Sequence, residues 1–199
     1  MIYLMRHGED DNTRLGGWSN AGLSNAGIEQ VKNSAEKFIM WNYNISQIFS
    51  SDLPRAKETA EIVADRLNIE VRFISEFREI NNGNLAGMLK EQAKIKYPGI
   101  YYSALEWEQA YPNGESPKLF YERIIAAWNK FKDHAAKSNG NTLLVTHGGV
   151  INAILCYENG EKYTNKYAKY SIGVACRAKC KKLPRKTQKS RFKLPINDI

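Results

Sequence analysis

Residues Asn141 to Gly149 read NTLLVTHGG. The run is short, apolar and led in by Ser138-Asn139-Gly140, and it stops abruptly at a histidine and two glycines. Such a run predicts a strand buried on both faces, with an apolar helix following from Val150 to Tyr157. The start of the chain repeats the pattern, because Met1 to Met5 (MIYLM) runs into Arg6-His7-Gly8. Of the 3 histidines in the chain, His7 and His147 therefore each stand at the end of a predicted strand and before a glycine. His134 falls on the polar side of a predicted helix and reads as a solvated surface residue.

Between the two ends, strand and helix signals alternate. Apolar residues at Ile28, Val31, Ala35, Phe38 and Ile39 predict a first helix over 24–40, with Ser24 or Asn25 as N-cap. Ile45 to Ser50 predicts a strand, and Pro54 near the start of the next helix, which runs to about Leu67, fits the N-terminal preference of proline. Val71 to Ile74 resembles a third strand, and the asparagines and glycines of Glu79 to Gly87 predict a loop. Further helices are expected over 88–97 and 117–138. The pattern predicts an α/β fold, a three-layer sandwich with a mostly parallel central sheet flanked by helices. Sheets of this kind bind ligands at the carboxyl ends of their strands, so both His-Gly pairs are expected at one crevice.

Charge subdivides the chain. It holds 29 basic and 21 acidic residues, a net charge of +8. Nine of the basic residues and one acid lie in 177–199, so the preceding part balances at 20 of each. That distribution argues for a neutral domain rather than one with a nucleic-acid-binding face. It predicts a domain over 1–176 and a basic, flexible tail over 177–199 that makes at most weak contact with polyanions. No apolar run approaches a membrane span and no secretory leader is evident, so a cytoplasmic protein with no membrane association is expected. Cys156, Cys176 and Cys180 have no metal-ligand or disulfide spacing and are read as free thiols.

Arg6-His7-Gly8 at a strand end offers a nucleophilic nitrogen, a fixed cation and a glycine that would let the backbone approach a ligand. From these residues onward the chain resembles the histidine phosphatase, or phosphoglycerate mutase-like, superfamily. The opening motif of that family matches Arg6-His7-Gly8 and the following LSNAGIEQ at Leu23 to Gln30. Its second motif matches SSDLPRAKETA at 50–60, with Arg55 in the arginine place, and its acid motif matches Glu79, Gly83 and Gly87. Its late motif matches VTHGGVI at Val145 to Ile151, and PNGES at Pro112 to Ser116 is similar to a segment found in many members.

The resemblance implies a phosphatase that hydrolyses small phosphomonoesters through a phosphohistidine on His7. Arg6, Arg55 and His147 would bind the phosphoryl group with the backbone at Gly8 and Gly148, and Glu79 would act as general acid and then base. This set suits phosphoryl transfer, in which negative charge spreads over three equatorial oxygens around an in-line nucleophile. Neither metal nor organic cofactor is called for. Glu76 is a competitor for the acid role, and the glycine spacing selects Glu79.

The sequence also departs from the family. Asp10 replaces the usual hydroxyl residue, and Thr13 takes the place of an asparagine that contacts phosphate, with Arg14 as a substitute. Asp10 and Asp11 put negative charge at the mouth, which disfavours polyanionic substrates. Two alternatives share the motifs: a phosphoglycerate-type phosphomutase, and a non-catalytic module that binds phosphorylated ligands. The short chain favours the phosphatase over the mutase, and the full set of ionisable residues disfavours the silent module.

Overall fold

The computed structural model of the chain describes residues 1–175 and the backbone of residues 177–180. Five strands form one sheet: β1 (Ile2–Arg6), β2 (Ile45–Ser50), β3 (Val71–Phe73), β4 (Asn141–Thr146) and β5 (Arg177–Cys180). Their order is β3-β2-β4-β1-β5, and the first four are mutually parallel. β4 is thus inserted late in the sequence between β1 and β2.

Strand alternation sorts the core into two layers. Ile2, Leu4, Phe49 and Leu144 face one side of the sheet, where they pack with α4 (Pro117–Ala135) and α5 (Gly148–Glu158). Tyr3, Met5, Ile48, Leu143 and Val145 face the other, against α1 (Asn25–Met40) and α2 (Pro54–Leu67). The result is the three-layer α/β/α sandwich expected from the sequence.

The helices form where their caps and apolar stripes dictate. Ser24 caps α1 by accepting the Gly27 N–H, and Val31, Ala35 and Phe38 make the buried stripe. α2 opens on Pro54, whose missing N–H costs nothing there, and closes on Asn68 in the left-handed region at φ 54°. A shorter helix, α3 (Lys90–Lys96), follows the loop of Glu79 to Gly87. Among the described residues, no helix is long and apolar enough to cross a membrane.

One boundary differs from the sequence reading, which assigned everything after 176 to a flexible tail. Arg177–Cys180 instead pair antiparallel with β1, with Lys179 opposite Tyr3 and Arg177 opposite Met5. Arg-Ala-Lys-Cys alternates charged with small residues, a period of 2 that suits an edge strand, and the high charge masked it. The remainder of the basic segment, 181–199, lies outside the described residues.

Candidate active site

β1 and β4 lie side by side with Arg6 opposite Thr146, so the residues that follow them are forced together. The His7 N–H donates to the Thr146 carbonyl at 3.0 Å, and the two imidazole rings stand 5.2 Å apart. Arg55, near the start of α2, reaches the same point and is 2% exposed. Its Nε donates to His7 Nε2 at 3.2 Å, while its terminal nitrogens donate to Ser19 Oγ (3.3 Å) and the Gly17 carbonyl (2.8 Å).

This bonding sets the state of His7. A guanidinium nitrogen can only donate, so Nε2 of His7 is an acceptor and carries its lone pair. The proton therefore sits on Nδ1, which donates to the Gly8 carbonyl at 2.6 Å. Burial first, then the charges of Arg55 and Arg6, push the His7 pKa down to about 3, against an opposing effect of the Gly8 hydrogen bond. The imidazole is neutral, with an unprotonated nitrogen aimed at the cationic side of the crevice.

His147 is fully buried, and burial, Arg55, His7 and Arg6 hold its pKa well below the ordinary range. Its Nε2 is bonded to Ser51 Oγ at 2.9 Å. Its Nδ1 and the Nε of Arg6 are both buried polar atoms that have no hydrogen-bond partner among the described residues. Arg6 donates through Nη1 to the Ile172 carbonyl. Two buried nitrogens, one on the ring next to His7 and one on Arg6 near Gly148, are thus unsatisfied among the described residues, and desolvation makes an acceptor valuable to each.

Glu79 enters from the loop after β3. Its Oε2 accepts the Gly149 N–H at 3.0 Å, in the first turn of α5, and its Oε1 accepts the Ile80 N–H. Arg123 of α4 holds this loop by donating to the carbonyls of Glu76, Arg78 and Glu79 while paired with Glu115. Trp18 Nε1 adds a bond to the Glu79 carbonyl at 2.7 Å. Glu76 is exposed and turned onto Ser75, whereas Glu79 is bonded to the first turn of α5.

Other expectations resolve differently. Gly8 was expected to admit a ligand, but its N–H donates to Thr59 Oγ1, and a Cβ there would meet the Gly27 carbonyl and Val31. It is a packing residue between β1 and α1. At Gly148 a Cβ would meet nothing closer than Arg6 Nε at 3.6 Å. Thr13 spends its hydroxyl on Asp11, and Arg14 pairs with Asp11 and the Gly87 carbonyl. His134 is exposed and lies against Phe49, away from the site. Sequence reasoning missed Ser19, Ser51 and Arg123. For Arg123, its position after Pro112–Ser116 on an amphipathic helix was the available signal.

Two neutral histidines, two arginines and a carboxylate thus meet at one crevice, and the chain belongs to the histidine phosphatase superfamily (branch 1), whose model matches residues 2–181. Phosphoglycerate mutase-like protein 4 of Arabidopsis thaliana is 32% identical over 176 residues, covering 84% of this chain and 74% of that one. Among solved structures, a putative alpha-ribazole-5'-P phosphatase from Escherichia coli superposes with a TM-score of 0.75 at 23% identity, over 89% of this chain and 87% of that one. A mycobacterial glucosyl-3-phosphoglycerate phosphatase in complex with VO3 superposes with a TM-score of 0.72 at 26% identity, over 88% and 90%. The chain is an enzyme of the phosphatase and mutase fold.

Proposed function

We propose that this enzyme hydrolyses small phosphomonoesters through a covalent phosphohistidine at Nε2 of His7. The observation that carries the reading is the state of His7, a neutral ring with Nδ1 tied to Gly8 and the Nε2 lone pair beside Arg55. That lone pair attacks phosphorus, the P–O ester bond breaks, and its electrons pass to the leaving oxygen. Glu79, in its protonated form, gives that oxygen its proton and releases the alcohol. The Glu79 carboxylate then takes a proton from water, the water oxygen attacks phosphorus, and the P–N bond returns its electrons to Nε2 as orthophosphate leaves.

Arg6 and Arg55 supply charge for the equatorial oxygens, and the Arg6 Nε is a donor without a partner among the described residues. If the Ser51 hydroxyl donates to His147 Nε2, Nδ1 of His147 carries its proton outward as a further donor. His147 then binds phosphate while neutral. We propose a cytoplasmic setting, which the free, buried Cys156 supports. We also propose that the catalytic domain extends through β5, with the basic residues beyond it forming an appendage for weak polyanion contact.

Mutase relatives make transfer to a second hydroxyl the competing outcome. The two separate in a rapid-quench experiment with a panel of phosphomonoesters. The phosphatase reading expects acid-labile phosphate on the His7 peptide, orthophosphate as product, and loss of nearly all turnover in His7→Ala. Undiminished turnover in His7→Ala, or an isomerised ester in place of orthophosphate, overturns it.

A further inference from the structure

The sequence singled out Asp10 as a departure, and the structure gives it a location. Its Oδ2 lies 3.4 Å from Arg55 Nε, the nitrogen that also donates to His7 Nε2. The carboxylate therefore stands beside the nucleophile, on the cation assigned to the incoming phosphoryl group. Arg55 is buried while the Asp10 side chain is 24% exposed, so the pair reaches from the buried site toward solvent. The Arg55 terminal nitrogens are already bound to Ser19 and Gly17, so its orientation is fixed.

The charges can then be counted. Arg6 and Arg55 contribute two positive charges, Asp10 one negative charge, Glu79 none while it holds the proton for the leaving oxygen, and both histidines are neutral. Without Asp10 the two cations would match the charge of a phosphate dianion. With it, the phosphate has to displace a carboxylate from Arg55 and then remain near it. Three other arginines nearby are already paired: Arg14 with Asp11 at the surface, Arg78 with Asp52, and Arg123 of α4 with Glu115. They do not stand ready for a second anionic group on the substrate.

We infer that Asp10 is a specificity-determining residue that restricts the enzyme to phosphomonoesters of neutral, hydroxyl-bearing leaving groups. Esters whose leaving group carries a carboxylate or second phosphate are disfavoured. At the effective dielectric of a half-open site, a second negative charge about 6–8 Å from a carboxylate lowers binding roughly tenfold or more. A sugar or polyol hydroxyl at the same place can instead donate to Asp10. This inference rests on the proposed phosphatase reaction for its choice of substrates.

The test uses a matched pair, glycerol 3-phosphate and 3-phosphoglycerate, which differ in a hydroxymethyl against a carboxylate. The wild-type enzyme should favour glycerol 3-phosphate in kcat/KM. Asp10→Asn and Asp10→Ser should each lower that preference at least tenfold, Asp10→Glu should retain it, and calorimetry should show tighter orthovanadate binding to Asp10→Asn. An unchanged preference in both neutral variants, or unchanged vanadate affinity, overturns the assignment of Asp10. Failure of the wild-type enzyme to turn over either ester counts against the phosphatase reading instead, and the vanadate comparison still judges Asp10. The Asp10 side chain pairs with Arg55, and two independent substitutions guard against a folding defect.

Discussion

Gly149→Ala isolates the placement of Glu79 from the stability of the fold. A Cβ at position 149 would overlap Glu79 Oε1 and lie only 3.1 Å from the carboxyl carbon. Carbon atoms in contact rest at about 3.5–4.0 Å, so the carboxyl group has to retreat by somewhat under 1 Å. The obstacle is the end of a flexible side chain, and Gly149 has no left-handed backbone to strain. Alanine is also the better helix former, by up to about 1 kcal/mol. Thermal stability should therefore hold or rise. A misplacement of about 1 Å at a reacting group costs on the order of a hundredfold. That loss should appear in single-turnover phosphorylation by an alkyl phosphate, whose leaving alkoxide needs a proton. It should be far smaller with p-nitrophenyl phosphate, whose leaving anion is stable without one. Equal losses on both substrates, or a melting temperature that falls with activity, would refute the reasoning that the glycine exists to admit Glu79.

Two further outcomes follow from the same structure. The pKa of His7 is about 3 in the fold against 6.5 ordinarily, so between those values the unfolded chain binds a proton that the native state does not. Stability present at neutral pH is therefore lost as pH falls below about 6.5, by up to about 1.4 kcal/mol per unit from this residue. Denaturation at pH 7 and pH 5 should show wild type losing ground to His7→Gln at the lower pH, and a constant gap would refute it. For the basic appendage, truncation after Lys182 should leave kcat within a few-fold and weaken salt-sensitive binding to heparin. Truncation before Arg177 removes β5 from the flank of β1 and should lower the melting temperature, and equal melting temperatures for the two truncations would contradict that.

What the sequence revealed was whatever local chemistry dictates. Ile45–Ser50 and Asn141–Thr146 are strands with the expected bounds because a short β-branched or apolar run has few other stable homes. The start of α2 near Pro54 was legible from the proline, although Leu53 and no polar side chain caps it, and of the two candidate caps for α1, Ser24 and Asn25, the structure uses Ser24. α5 begins at Gly148, two residues before the expected Val150, because paired glycines resemble a loop when the carboxylate they accommodate is unseen. The contacts that complete the site could not be read this way. Ser51 meets His147 across 96 residues, and Arg123 meets the Glu79 carbonyl across 44. Asp10 looked like mouth charge and proved to pair with Arg55. Side-chain bonds of that range leave no periodicity behind them.

The insertion of β4 between β1 and β2 also bears on how the enzyme is made. During synthesis the strand that leads into His7 emerges early, yet both of its sheet neighbours, Asn141–Thr146 and Arg177–Cys180, are translated more than a hundred residues later. Until then the apolar segment Ile2–Met5 has no native partner on either edge, and at ribosomal rates that interval lasts several seconds or more. Non-local parallel pairing is intrinsically slow to form, which prolongs the exposure of that segment. A product that stalls before β4 would carry the nucleophile but no sheet to hold it. Such a fragment presents an unpaired apolar edge to the cell, and its expected fate is aggregation or degradation rather than partial activity.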